Sequence, residues 1–169
     1  MLNTYSKVLD RLEKVIGSIS IILLFFGFSV IFAQTVARYF FHSGAAWMEE
    51  SGRYAIIYLS FLCSPIAIRR GKHMAIDVLE SRFAPLPRTL LHLVFDVLLL
   101  WFFGIMTVSG VLYAKANLQS LSVGIGISMA YIYASCAIGF GLMLLFQIES
   151  LGKNLAALKN INSKKEGEF

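Results

Sequence analysis

The chain has 169 residues, of which 57% are hydrophobic and only 15% charged, with a mean hydropathy of +0.71. A soluble domain carries about a quarter charged residues, so the composition excludes a water-soluble globular fold. The net charge of +5 at pH 7 then reports membrane topology and contact with anionic lipid, and no nucleic-acid partner is expected.

A helix needs about 20 apolar residues to cross a bilayer. Four runs meet that length, approximately at 16–37, 47–68, 89–113 and 126–148. The predicted fold is therefore an all-α integral membrane protein, a single membrane domain over 1–169, with short amphipathic interfacial segments. Residues 5–15 place Val8, Leu9, Leu12 and Val15 on one stripe, with Lys7, Asp10, Arg11, Glu13 and Lys14 elsewhere. That pattern suits either a helix lying on the membrane surface or a solvated continuation of the first span. The apolar run that follows exceeds the roughly 7–15 residues of a signal peptide, and no clean small-x-small cleavage site follows it. It reads as an uncut signal anchor. Span 1 holds Gln34 and a few hydroxyls but no carboxylate.

Between the first two spans lies RYFFHSGAAWMEESGR, residues 38–53. Its aromatics, Tyr39, Phe40, Phe41 and Trp47, suit a membrane–water interface. Arg53 follows Glu49 by four residues and Glu50 by three, so on a helix both carboxylates reach its guanidinium. Tyr54 to Ile68 gives only fifteen uncharged residues, roughly 22 Å of helix. Span 2 must therefore begin near Trp47 and carry Glu49, Glu50 and Arg53 into the headgroup layer. The knot of Arg38, Glu49, Glu50 and Arg53 is then either an interfacial anchor with paired charges or a surface offered to a partner protein. Pro65 is expected to bend the inner end of span 2.

The next linker contains Arg69, Arg70, Lys72 and His73 and then a helical pattern over 74–83, with Ile76, Leu79 and Phe83 on one side. This predicts an in-plane interfacial helix ended by Pro85 and Pro87, in which His73 and Asp77 can pair across one turn. In span 3, Arg88, His92 and Asp96 share one face. Asp96 is the one deep acid, and it is expected to be neutralised by His92 and buried against another helix, in a structural or a functional role. The linker KANLQSLSVGIG makes a short hairpin to span 4. There Ala130, Ala134, Ala137 and Gly141 form a small-residue stripe that lets another helix approach closely. The tail from Gly152 reads as polar and frayed. Cys63 and Cys136 lie in apolar runs without ligand spacing and read as small core residues.

Lysines and arginines set the orientation. Twelve of them flank the N-terminus, the linker between spans 2 and 3, and the C-terminal tail, against Arg38, Arg53 and Lys115 on the other side. Both termini are thus expected on the cytoplasmic side of the membrane. The sequence contains no nucleophile–base pair, phosphate loop or carboxylate constellation in a pocket-like setting, so no enzyme activity and no metal or cofactor are expected. A redox anchor subunit would need facing histidines within the bilayer, and a small autonomous transporter would need polar groups at the midplane or broken helices. Both remain alternatives to a supporting subunit.

The order of Arg38-Tyr39, Trp47-x-Glu49-Glu50 with Arg53, a short span, and Arg70-Gly-x-His73-x-x-x-Asp77 resembles the small membrane subunit of tripartite ATP-independent periplasmic (TRAP) transporters, the DctQ-like family. The resemblance runs from span 1 to span 4 and departs mildly at Met74-Ala75-Ile76. It implies a large multi-span membrane subunit that moves sodium and substrate, and a periplasmic binding protein that delivers an organic acid such as a carboxylate or a sialic acid. It further implies that this chain enlarges the static scaffold, helps the binding protein dock, and holds neither the sodium nor the substrate site.

Overall fold

The computed structural model describes residues 2–42, 44–70 and 85–166. They form four helices: α1 over Leu2–Phe40, α2 over Ala46–Arg69, α3 over Pro85–Ala116 and α4 over Met129–Glu166. All four are long and apolar enough to span a membrane, the spanning stretches being Ser6–Phe40, Ala46–Arg69, Leu93–Ala116 and Met129–Gly152. Helices are what such sequences must form, because a backbone in hydrocarbon has only itself to hydrogen-bond with. Hydroxyls within the spans follow the same rule. Ser20 donates to the Ile16 carbonyl, Ser60 to Ile56 and Thr107 to Phe103, each one turn back.

The helices stand in a row in the order α1, α2, α4, α3. Glycines set the closest approaches, since lipid gives no hydrophobic drive between helices and packing must supply the attraction. A Cβ at Gly52 would lie 2.6 Å from Ile31 Cγ1 of α1. One at Gly139 would lie 2.7 Å from Phe61 Cβ of α2, and one at Gly110 only 3.0 Å from the Ala137 nitrogen of α4. Phe140 of α4 joins the layer, with Phe61 of α2 and Phe102 and Phe103 of α3 around its ring at 5.8–6.1 Å. The row closes on itself at one end, where Leu9 and Ile16 of α1 pack with Phe146 of α4.

Several expectations change. Residues 5–15 form no separate surface helix. They continue α1 without a break, because Leu9 has a core site against Phe146 and the acids beside it have a partner, described below. Pro85 and Pro87 open α3; a first-turn proline loses no helical hydrogen bond and has a φ already suited to the helix. Span 4 starts at Met129, three residues later than expected. Residues 120–128 instead form a tight loop, with Leu121 and Ser128 bridged and Gly126 at a φ of +75°. Beyond Gly152 the tail does not fray, and the helix runs on to Glu166. Pro65 is buried inside α2. The predicted helix at 74–83, with His73 and Asp77, lies outside the described residues.

Candidate functional site

Polar side chains gather at three places. The first is the end of the molecule that carries Trp47. Here Arg53 Nη2 lies 3.0 Å from Glu49 Oε1, one turn away and in the open. Glu50 does not join this pair, contrary to the expectation of a shared guanidinium. It turns toward the loop between α3 and α4, where the Ile125 N–H donates to Glu50 Oε2 at 3.0 Å. The Ser122 hydroxyl and the main chain of Val123 and Gly124 also hydrogen-bond its carboxylate. Gly124 makes the seat possible: a Cβ there would sit 2.8 Å from the Ala46 carbonyl and 3.0 Å from Glu50 Cδ. Glycine lets a loop backbone come this close, and a carboxylate is the group that can accept from several N–H donors together. Glu50 thus pins the α3–α4 loop onto the first turn of α2.

The second place is the opposite end and was not foreseen. Arg69, counted from the sequence as a loop cation, is the last residue of α2 and its side chain is only 9% exposed. Its Nε donates to Glu149 Oε2 at 2.9 Å, its Nη1 to Glu13 Oε2 at 2.7 Å, and its Nη2 to Asp10 and to the Ser6 carbonyl. The guanidinium also lies over the Phe146 ring, 5.5 Å from its centre. Glu149, 2% exposed, further accepts from the Ser6 hydroxyl at 2.8 Å, and Glu13 takes Arg70 as well. Arginine suits the position because its planar fork directs several donors at once. One side chain thereby ties α1, α2 and α4. The available signal was the number of acids, Asp10, Glu13 and Glu149, predicted for the same end of the molecule as Arg69 and Arg70.

The third is Asp96 of α3, 5% exposed. It is held by α4: Gln147 Nε2 donates to Oδ1 at 2.6 Å, Asn154 Nδ2 to Oδ2 at 2.6 Å, and Ser150 lies 3.4 Å away. These three residues lie three to four apart on one face of α4. The His92 side chain, the partner the sequence pointed to, lies outside the described side chains; the donors described are the amides and hydroxyl of the neighbouring helix.

The small-residue stripe works at least partly inside the chain. Ala137 receives Gly110 of α3, and a Cβ at Gly141 would lie 3.8 Å from Thr107. Ala130 and Ala134 line an apolar groove with Val111 and Ala114 of α3. Arg38 and Trp47 stand exposed at the far end of the row. The two cysteines, Cys63 and Cys136, are free thiols.

A row of four membrane-length helices, clamped at one end by buried charge and at the other by a loop seat, defines a multi-pass membrane protein whose polar groups serve to fasten helices together. The chain belongs to the family of DctQ components of tripartite ATP-independent periplasmic transporters, whose profile matches residues 27–157. That is a family of transporter subunits, which is not an enzyme class. Two relatives in Haemophilus influenzae are described as TRAP transporter small permease proteins. One is 32% identical over 71 residues, covering 42% of this chain and 44% of the relative. The other is 24% identical over 139 residues, covering 79% and 81%. The sialic acid TRAP transporter permease protein SiaT of the same species is 26% identical over 147 residues, which are 83% of this chain but 22% of SiaT.

Proposed function

We propose that this chain is the small scaffold subunit of a sodium-coupled TRAP transporter for an organic acid, working beside a large membrane subunit and a periplasmic binding protein. The observation that carries this reading is the single row of helices. Four spans side by side enclose no path for a solute, whereas a transporter acting alone needs a polar site between its helices. A row does present two broad apolar faces, and many of its large side chains, such as Phe25, Phe28, Val97 and Trp101, are more than half exposed. One face suits lipid and the other a large partner. Sodium and substrate then belong to that partner. The family and the relative that handles sialic acid support a carboxylate or sialic-acid-type solute, and a second relative is an isethionate permease, 26% identical over 130 residues.

Both termini, and with them the Arg69 cluster, face the cytoplasm of the inner membrane, in accord with the lysine and arginine bias. The Trp47 end and the loop at 120–128 face the periplasm, where the binding protein docks. Co-purification of the tagged chain in mild detergent tests the reading, and a near-stoichiometric multi-span protein is expected to follow it. A chain that purifies alone and moves solute in liposomes would instead be an autonomous transporter. One that shows a haem Soret band would be a redox anchor.

A further inference from the structure

Between the Trp47 ends of α1 and α2 there is a wedge of about 460 Å³. It exists because the two helices are pressed together lower down, at Gly27 against Ala55 and at Gly52 against Ile31, and part above that crossing. Gln34 and Arg38 line it from one face of α1, His42 from the bend just beyond that helix, and Ala46 and Glu49 from α2. The wedge is thus walled by both signs of charge. Arg38 has no ion-pair or hydrogen-bond partner among the described residues. Glu49 binds Arg53 through Oε1, and its side chain is 58% exposed, so the carboxylate can accept from a further donor.

We propose that this wedge seats the zwitterionic headgroup of a phospholipid, phosphoethanolamine, with its phosphodiester on Arg38 and its ammonium on Glu49. A simple anion would meet Arg38 but would leave Glu49 facing it. A zwitterion satisfies both, and guanidinium–phosphate is among the stronger charge-assisted pairs. The depth is right for lipid. Tyr39, Phe40, Phe41 and Trp47, which neighbour the lining residues along the chain, are 75%, 77%, 73% and 51% exposed, and such aromatics settle at the headgroup level of a bilayer. Among headgroups, phosphocholine has no N–H to give Glu49, and phosphoglycerol has no cation.

Native mass spectrometry of the full chain tests this, with phosphatidylethanolamine, phosphatidylcholine and phosphatidylglycerol of matched acyl chains offered together. The wild-type chain is expected to retain phosphatidylethanolamine preferentially. Arg38→Gln should lower retention of phosphatidylethanolamine and phosphatidylglycerol by about fivefold, the scale of one exposed charge-assisted contact. Glu49→Gln should bring phosphatidylethanolamine down to the level of phosphatidylcholine and leave phosphatidylglycerol unchanged. Both side chains are exposed, so the fold does not depend on them. Equal retention of the three lipids by the wild type, or a preference that survives both substitutions, would overturn the proposal. So would displacement of the bound lipid by soluble glycerophosphoethanolamine at equal concentration, which would make the ligand a free phosphodiester.

Discussion

Arg69 shows how far one residue's meaning depends on its neighbours. As a letter in RRGKH it is a topogenic cation. In the folded chain it neutralises Glu149, whose side chain is 2% exposed. Removing one partner of a buried pair strands the other, at a cost of about 3–5 kcal/mol. Arg69→Met is therefore expected to lower the midpoint of thermal unfolding in detergent sharply. The double variant Arg69→Met with Glu149→Gln should recover a good part of that loss, because the most buried acid is then neutral, Glu13 keeps Arg70 and Asp10 is exposed. Gly139 has a subtler role. Pro65 has no N–H, so it cannot satisfy the carbonyl of Phe61 one turn earlier. A Cβ at position 139 would lie 2.9 Å from that oxygen. Gly139→Ala is expected to force α2 and α4 apart and to cost roughly 1–3 kcal/mol, as overpacking does, which the same melting measurement reads.

At the scale of elements, sequence patterns found the helices and missed how they are fastened. The four spans were legible because hydrocarbon leaves a long apolar run one conformation. The pairing of Glu49 with Arg53 was legible because it is local, one turn along a helix. The seat of Glu50 joins residues 75 positions apart, and no spacing rule reaches across that gap. Asp96 stood out as an acid in a span, yet its donors lie more than 50 positions away on α4. The continuity of α1 through residues 5–15 depended on Phe146 and Arg69 in the same way. Two outcomes follow for these joints. Glu50→Lys should free the loop, which hydrogen exchange would register as faster exchange at Ile125 while α2 and α4 stay protected. Asp96→Ala should take away the carboxylate to which the Gln147 and Asn154 amide N–H groups donate and cost about 1–3 kcal/mol. Asp96→Asn should cost less, since one carbonyl acceptor remains.

For the whole molecule, orientation is the sharpest test. With Cys63 and Cys136 replaced by alanine, a cysteine at Asn160 should react with a membrane-impermeant maleimide only after the inner membrane is opened. A cysteine at Gln119 should react in intact spheroplasts. The reverse pattern would exchange the two sides and place the Arg69 cluster in the periplasm.

The single-file arrangement also has a mechanical consequence. A slab one helix thick is stiff along its helix axes but pliant about any line parallel to them, as a bamboo screen rolls easily in one direction only. Ties at the edges limit that rolling. In this chain the ties differ in reach: a multiply bonded guanidinium grips three helices at one margin, while at the other the Glu50 carboxylate holds the α3–α4 loop and the Tyr58 hydroxyl holds the start of α4, leaving α1 outside both bonds. A neighbour pressed against the slab would meet three helices bonded as one at the Arg69 margin and a bonded pair at the Trp47 margin.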